Sequence, residues 1–130
     1  IALADLDHFK AINDDHGHAA GDRVLQMAAE VFSQNVRPFD HVFRYGGEEF
    51  LICLPNADLV QADIVLERVR TALAEISVDI GEADPISVTA SFGAAPTSPD
   101  IDLNETIELA DKALYQAKET GRNRVEISKG

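Results

Sequence analysis

Cysteine, long apolar runs and basic residues are all scarce in this chain of 130 residues. The single cysteine, Cys53, lies in an apolar stretch, so we expect a buried thiol in a reducing compartment and no disulfide within the chain. No apolar run reaches the roughly 18 residues that a membrane span needs, and no segment has the pattern of a signal peptide. These absences argue against a disulfide-stapled secreted domain and against membrane contact by this domain.

Positive charge is the second scarcity. Lysine and arginine number 11 against 23 aspartates and glutamates, which gives a formal net charge of −12. A nucleic-acid duplex or an anionic membrane binds a basic face, so this balance argues against both as partners. A small phosphate ligand remains compatible, because carboxylates can bind a hard divalent cation that in turn binds phosphate oxygens.

Hydrophobic residues make up 45% of the chain, enough for the core of one domain spanning residues 1–130. Apolar spacings of three and four residues predict helices at 9–14, 21–35, 59–76 and from 103 to about 121. β-Branched and alternating runs predict strands at 1–7, 41–45, 49–54, 86–94 and 124–127, with a hairpin arm at 79–84. The order predicts an α+β fold in which helices surround a central five-stranded, mostly antiparallel sheet.

Two aspartates end the first predicted strand. Asp5 and Asp7 are two residues apart, so their side chains share one face of the strand. Asp7 could cap the helix that follows while Asp5 is a solvated strand end. Alternatively, the pair supplies carboxylate ligands for Mg²⁺. The residues alone leave both interpretations open.

The stretch RYGGEEF, at 44–50, combines two glycines with two acids. Gly46 and Gly47 suit a two-residue hairpin turn that needs φ > 0 at both positions, and they would also let a ligand lie against the backbone. Strand alternation points Glu48 and Glu49 to opposite faces, so one of them can meet Asp5 if the two strands are neighbours. Carboxylates from two strands, with a backbone carbonyl, would make a plausible Mg²⁺ site. A simple charged hairpin tip is the alternative.

Four stretches together resemble the GGDEF family of bacterial diguanylate cyclases, in the GGEEF form of its signature. They are residues 5–14 (DLDHFKAIND), 17–22 (GHAAGD), 44–50 (RYGGEEF) and 117–123 (AKETGRN). The motifs follow the family's order and spacing over essentially the whole chain. The resemblance implies a palm-like nucleotidyl-cyclase fold that condenses two GTP into cyclic di-GMP with release of pyrophosphate. It also implies a homodimer that holds one GTP per domain.

The resemblance assigns the metal and catalytic roles to the two acidic motifs. Asp5, the carbonyl of Leu6 and Glu48 would bind Mg²⁺ or Mn²⁺, and Glu49 would be a further ligand or a charge beside the metal. Glu48 is also the expected group for deprotonating the 3′-hydroxyl of GTP. Glu48 and Glu49 are therefore the predicted catalytic residues.

The nucleotide-binding roles fall on other motifs. Asn13 and Asp22 match the guanine-reading positions, where a carboxylate accepts from the N1 and N2 hydrogens and an amide donates to an edge acceptor. Asp22 could instead stabilise the first turn of a helix, and Asn13 could be a helix-end residue. The positions that match phosphate contacts are Lys10, Lys118, Arg122 and, more weakly, Arg44. A lysine in a last helical turn, as at 118, also has a structural explanation in the helix dipole.

A further constellation lies upstream of the glycines. Arg37-Pro38-Phe39-Asp40 resembles the family's inhibitory product site, in which the arginine clamps cyclic di-GMP and the aspartate reads guanine. Arg68 matches the position that completes this site from a second subunit or an adjacent face. An ordinary surface Arg–Asp pair is the alternative.

Some family features are missing from the sequence. The leading helix with its Asp-x-Leu-Thr and Asn-Arg-Arg stretches is absent. We therefore expect that the chain is part of a longer parent protein with an upstream regulatory domain. This domain is expected in the cytoplasm, and the parent protein can be membrane-anchored. A catalytically silent module that binds GTP or cyclic di-GMP is the competing function. The intact acidic motifs favour catalysis, because a receptor needs only the Arg37–Asp40 pair.

Overall fold

The computed structural model describes residues 1–128, which form seven strands and four helices. The strands are β1 (Ala2–Leu6), β2 (His41–Gly46), β3 (Glu49–Cys53), β4 (Ser77–Val78), β5 (Ile86–Ser87), β6 (Ala90–Ala94) and β7 (Val125–Ile127). The helices are α1 (Phe9–His16), α2 (His18–Asn35), α3 (Leu59–Ala74) and α4 (Leu103–Glu119). None of the helices in this described part of the chain is long and apolar enough to cross a membrane.

The central sheet has five strands in the order β2-β3-β1-β6-β7. All neighbouring strands are antiparallel except β6 and β7, which are parallel because α4 connects them. The predicted α+β fold with a mostly antiparallel five-stranded sheet is therefore confirmed. The acidic strand β1 lies at the centre of the sheet, between the hairpin strand β3 and β6.

The region before β6 differs from the sequence prediction. The single strand predicted at 86–94 is broken, because β5 pairs with β4 in a separate two-stranded ribbon while β6 joins the main sheet. The bend lies at Val88 and Thr89, where the Val88 side chain is buried and the carbonyl of Thr89 accepts from the backbone N–H of Asp7. The hairpin arm predicted at 79–84 exists, but it lies at β4, residues 77–78, and residues 79–84 belong to the loop between β4 and β5. An alternating pattern continues through such a bend, which is why sequence periodicity did not reveal it.

Helices cover the two faces of the sheet unequally. On one face α2 and α3 pack over a large core in which the ring of Phe32 contacts those of Phe50 and Phe92, with centroids 5.1 Å and 5.8 Å apart. On the other face α4 packs over a smaller cluster that includes Leu3 and Leu114. Because side chains alternate along β1, Leu3, Asp5 and Asp7 all belong to the α4 face.

Helix α4 begins at an N-cap that the sequence encodes locally. The carboxylate of Asp102 accepts from the backbone N–H of Glu105, at 2.8 Å, and so satisfies one of the free donors of the first turn. The helix ends where Gly121 adopts a φ of +130°, in the region that favours glycine. Start and stop together place Lys118 in the last turn, above the end of β1. Cys53, expected to be buried, is only half-buried near the end of β3.

Candidate functional site

The end of β1 carries a partly buried ion pair that connects it to α4. The Nζ of Lys118 donates to Oδ2 of Asp5 at 2.5 Å, and only 6% of Asp5 is exposed. Burial raises the pKa of Asp5, and Lys118 opposes that rise while the negative charges of Glu48 and Asp7 add to it. A predicted metal ligand and a predicted phosphate-binding lysine are thus held in direct contact.

Glu49 stands opposite Asp5 in the antiparallel pairing of β1 and β3. Burial raises the pKa of Glu49, and the charge of Asp5 raises it further. Like charges on directly opposed residues destabilise a sheet. The structure therefore concentrates negative charge at this point, as expected where a cation is to be bound.

The turn of the hairpin is displaced by one residue from its predicted position. Gly46 pairs with Glu49, and the register shifts between Arg44 and Gly46, so Tyr45 is an extra residue that forms a bulge. The turn residues are consequently Gly47 and Glu48, and neither Gly46 nor Gly47 has a positive φ. The predicted φ > 0 at both glycines was wrong. A two-residue hairpin loop usually matches the twist of its strands through residues with positive φ, whereas here the bulge supplies that twist.

A cleft of about 180 Å³ opens beside this turn. Its lining contains six of the predicted site residues: Asp5, Leu6, Lys10, Glu48, Lys118 and Arg122. The backbone N–H of Leu6 donates to the carbonyl of Glu48 at 3.2 Å, which ties the turn to the end of β1. Carboxylates and cations from three separate parts of the sequence therefore meet in one small cavity.

The donor chemistry of this cleft suits a divalent cation. Asp5, Glu48 and the carbonyl of Leu6 all offer oxygen, the ligand that Mg²⁺ and Mn²⁺ prefer. Within residues 1–128 no three His, Cys, Asp or Glu side chains are arranged as a complete metal site. The residues present nevertheless fit such an ion, since burial and then the charge of neighbouring carboxylates raise the pKa of Asp5 and of Glu49, and a bound cation would offset both effects.

The predicted guanine-reading pair lies where α1 packs against α2. The carboxamide of Asn13 lies against Gly21, so closely that a Cβ at Gly21 would be 1.8 Å from Oδ1 of Asn13. Asp22 follows directly and lines a second cleft, of about 410 Å³, between α2 and the hairpin. The missing side chain of Gly21 thus allows Asn13 to lie next to Asp22, a feature that the sequence alone did not single out.

Arg44 has a different position from the other predicted phosphate ligands. Its Nε donates to the carbonyl of Gly47 at 2.8 Å, and its side chain lines the larger cleft with Asp22. It closes the hairpin turn and lies between the guanine-reading pair and the acidic turn.

The residues of the predicted product site form a compact group on the loop before β2. Arg37 donates to both carboxylate oxygens of Asp40, at 2.8 Å from Nη2 and 2.9 Å from Nε, and its guanidinium lies 4.7 Å from the ring centroid of Phe39. Hydrogen bonding to Asp40 raises the pKa of Arg37. Arg68, on α3, donates to the carbonyl of Asn35 at 2.7 Å, near the same loop. The structure brings the three predicted residues into one region, 36–40 and the adjoining face of α3.

Asp7 has a structural position that sequence reasoning missed. Asp7 does not cap α1. The N-cap residue of α1 is His8, which makes no side-chain capping bond. The carboxylate of Asp7 instead accepts from the hydroxyls of Thr89 and Ser91 and from the backbone N–H of Asn123. These partners lie more than 80 residues away in the sequence, so no local pattern could have identified them.

The comparisons with known proteins identify the family of this chain. Residues 1–124 match the family described as diguanylate cyclase, GGDEF domain. The chain therefore belongs to the GGDEF family of diguanylate cyclase domains. It is 44% identical over 130 residues to diguanylate cyclase A of Treponema denticola, a match that covers 99% of this chain and 35% of that protein. The chain thus spans about a third of the length of this curated relative.

Two solved structures extend the comparison. The GGDEF domain of DgcB from Caulobacter crescentus, in complex with c-di-GMP, has a TM-score of 0.93 and 34% identity, covering 99% of this chain and 77% of that one. The active GGEEF domain of a diguanylate cyclase from Vibrio cholerae has a TM-score of 0.89 and 34% identity, covering 99% of this chain and 81% of that one.

The opposed acids lead to a prediction for stability without divalent cations. The folded state raises the pKa of Glu49, so it keeps that proton to a higher pH than the unfolded chain does. Stability therefore falls as the pH rises from the unfolded pKa to the folded one. Glu49→Gln should stabilise the protein by roughly 0.2–1 kcal/mol near neutral pH, because it removes a like-charge cross-strand pair.

Urea unfolding in a chelator, at mildly acidic and at neutral pH, measures this effect. The matched control is Glu30→Gln on the exposed face of α2, which should leave the pH dependence unchanged. A Glu49→Gln protein that is no more stable than the control at neutral pH would contradict the prediction.

Proposed function

We propose that this chain is a diguanylate cyclase domain that condenses two GTP into cyclic di-GMP with release of pyrophosphate. It works as a homodimer with one GTP per domain, and it requires Mg²⁺ or Mn²⁺. The observation that supports the proposal most strongly is the convergence of Asp5, Glu48, Lys118 and Arg122 in one cleft. The names of the relatives support the same activity, and the c-di-GMP bound in the Caulobacter structure is the product of that reaction.

The proposed reaction makes two phosphodiester bonds. In each step the 3′-oxygen of one GTP attacks the α-phosphorus of the other, and the bond from that phosphorus to pyrophosphate breaks. Glu48, at the hairpin turn, takes the proton that leaves the 3′-hydroxyl. Asp5, the Leu6 carbonyl and Glu48 would hold the divalent cation, which when bound polarises the phosphoryl oxygens and lowers the pKa of the attacking hydroxyl.

The basic residues of the cleft bind the triphosphate. Lys118 already lies in contact with Asp5, so its charge offsets that carboxylate before the nucleotide binds and remains close enough to serve phosphate oxygens afterwards. Lys10 and Arg122 add cations on the rim of the same cleft. Such fixed positive charge stabilises the negative charge that develops on the leaving pyrophosphate.

Selection of guanine falls to Asn13 and Asp22. The Asp22 carboxylate accepts from the N1 and N2 hydrogens of guanine, and the Asn13 carboxamide donates to an edge acceptor. Adenine lacks the 2-amino donor, so its binding would leave Asp22 without a partner. Gly46 and Gly47, exposed and without Cβ atoms, let the nucleotide approach the backbone of the hairpin.

Incubation of the protein with GTP and Mg²⁺, followed by chromatographic detection of cyclic di-GMP and pyrophosphate, tests this function directly. Appearance of both products, dependent on the metal, is the expected result. Tight GTP binding without product at concentrations that dimerise the domain would instead identify a silent nucleotide-binding module.

The same proposal includes inhibition by cyclic di-GMP at Arg37, Asp40 and Arg68. Arg37→Ala should raise the concentration of cyclic di-GMP needed for half-inhibition by about 10- to 100-fold. This is the loss of affinity expected when charge-assisted hydrogen bonds are removed. The initial rate should change little, because Arg37 does not line the reaction cleft. Progress curves with added cyclic di-GMP provide the measurement.

Arg23→Ala, an exposed arginine on α2 that bonds the carbonyl of Asp79, is the control and should remain inhibited. Thermal unfolding of both variants would detect any loss of stability from leaving Asp40 without Arg37. Unchanged inhibition in a folded Arg37→Ala protein would remove this loop from the proposal.

A further inference from the structure

The turn that follows α4 has an unusual backbone conformation. Gly121, Arg122 and Asn123 have φ values of 130°, 62° and 45°. Residues with side chains rarely adopt positive φ, and two in succession persist only where the surroundings hold them in place. Since Arg122 lines the reaction cleft, this conformation decides where a phosphate-binding guanidinium is presented.

Both ends of the turn are held by identifiable bonds. The backbone N–H of Arg122 donates to the carbonyl of Ala117 at 2.9 Å, which fixes the start of the turn to the last turn of α4. The backbone N–H of Asn123 donates to Oδ2 of Asp7 at 3.0 Å, and its side-chain Oδ1 accepts from Nη1 of Arg70 at 3.0 Å. The turn is therefore attached on one side to Asp7, directly after β1, and on the other side to α3.

The Asp7 carboxylate is almost completely removed from solvent. Only 5% of the residue is exposed, and it also accepts from the hydroxyls of Thr89 at 2.6 Å and Ser91 at 2.7 Å. Three donors around one buried carboxylate hold it rigidly, as a buried charge requires. Asp7 also belongs to the lining of the cleft, at its inner wall, and it is bonded there to the backbone N–H next to Arg122.

We propose that Asp7 is a positioning residue that presents Arg122 to the triphosphate of GTP, an inference that rests on the function proposed above. The carboxylate of Asp7 holds residues 121–123 against the end of β1. These residues then hold the Arg122 guanidinium at the cleft. Asp5 and Asp7, two residues apart on the same face, thereby have different roles. Asp5 contacts Lys118 and would hold the divalent cation, while Asp7 orders the phosphate-binding turn.

The test compares a ligand with phosphates and one without. Asp7→Ala should weaken binding of an α,β-methylene analogue of GTP, which cannot be turned over, by about 10- to 100-fold, the value of a charge-assisted contact. Binding of guanosine should change little, because Asn13 and Asp22 lie on α1 and α2. Calorimetry of both ligands gives the two affinities. Asp7→Ser serves the same comparison if Asp7→Ala does not fold, because a serine hydroxyl is too short to reach Asn123.

Two further variants separate positioning from general stability. Asp7→Asn should restore phosphate-dependent affinity, because its Oδ1 can accept from Thr89 and Asn123 while its amide donates to the Ser91 hydroxyl. The double variant Thr89→Val with Ser91→Ala removes the other two bonds but keeps that to Asn123. It should lower the unfolding temperature without changing the ratio of analogue to guanosine affinity.

A double-mutant cycle completes the experiment. If Asp7 acts through Arg122, then Asp7→Ala should weaken the analogue far less in an Arg122→Ala background than in the original protein. Additive losses, or equal losses for guanosine and analogue, would overturn the proposed positioning role. Failure of the unmodified protein to bind the analogue at all would instead refute the proposed function.

Discussion

Glu48→Gln should reduce the rate of cyclic di-GMP formation by about 100- to 10,000-fold, the usual contribution of a positioned general base. The amide cannot take the proton of the 3′-hydroxyl, and it is a poorer ligand for a divalent cation than a carboxylate. The change is confined to the turn, where Glu48 is half-buried and its backbone carbonyl accepts from Leu6. The backbone bond persists in the variant, so the hairpin should keep its structure.

Rates of product formation and affinities for the α,β-methylene analogue should be measured together. The analogue should bind Glu48→Gln with a much smaller loss than the loss of rate, since the guanine-reading residues and Lys118 are unchanged. Glu30→Gln, the exposed control on α2, should turn over normally. Unaffected turnover in Glu48→Gln would refute the role assigned to this carboxylate.

Gly93→Ala should destabilise the protein by about 3 kcal/mol or more, at the upper end for overpacking. A Cβ at this position in β6 would lie 2.1 Å from the backbone N of Leu114 and 2.2 Å from the carbonyl oxygen of Ala110. Both atoms belong to the backbone of α4, so no side-chain rotation can relieve the clash. The helix that carries Lys118 must therefore move away from the sheet.

Urea unfolding measures the loss of stability, and analogue binding shows whether displacement of α4 reaches the cleft. The control is Gly81→Asn, in the turn between β4 and β5, where the φ of +86° suits asparagine better than other side chains and a Cβ has open space. That variant should lose less than about 1 kcal/mol. A Gly93→Ala protein as stable as this control would show that α4 can shift without cost.

Much of the fold follows from patterns that act over a few residues. The 3-and-4 spacing in α2, α3 and α4 and the alternation in β3 report which face of each element is buried, whereas the apolar run of β1 marks a strand that is buried on both faces. Asp102 three residues before Glu105 and Gly121 after the last helical turn mark the ends of α4. The hairpin signal at Gly46-Gly47 and the order of four motifs were sufficient to identify the family and the five-stranded sheet.

Other features depend on contacts that no local pattern encodes. The displaced turn at Gly47 and Glu48 arises from the bulge at Tyr45, and the bend at Thr89 arises from its bond to Asp7. The bulge and the bend both change how a strand pairs, but they leave the alternation of apolar residues along that strand almost unchanged.

The sequence by itself determined which chemical groups this protein has, their order, and the elements that carry them. Only the tertiary structure decided which of those groups touch. Asp5 and Lys118 are separated by 113 residues, and they meet because Gly93 admits α4 close to the sheet. Asp7 lies on the same face of the strand as Asp5 and has the same charge, so the sequence allowed it to be a metal ligand. In the structure its carboxylate is instead buried among three hydrogen-bond donors. Periodicity reports burial of one element at a time, whereas a site is made of distances between elements.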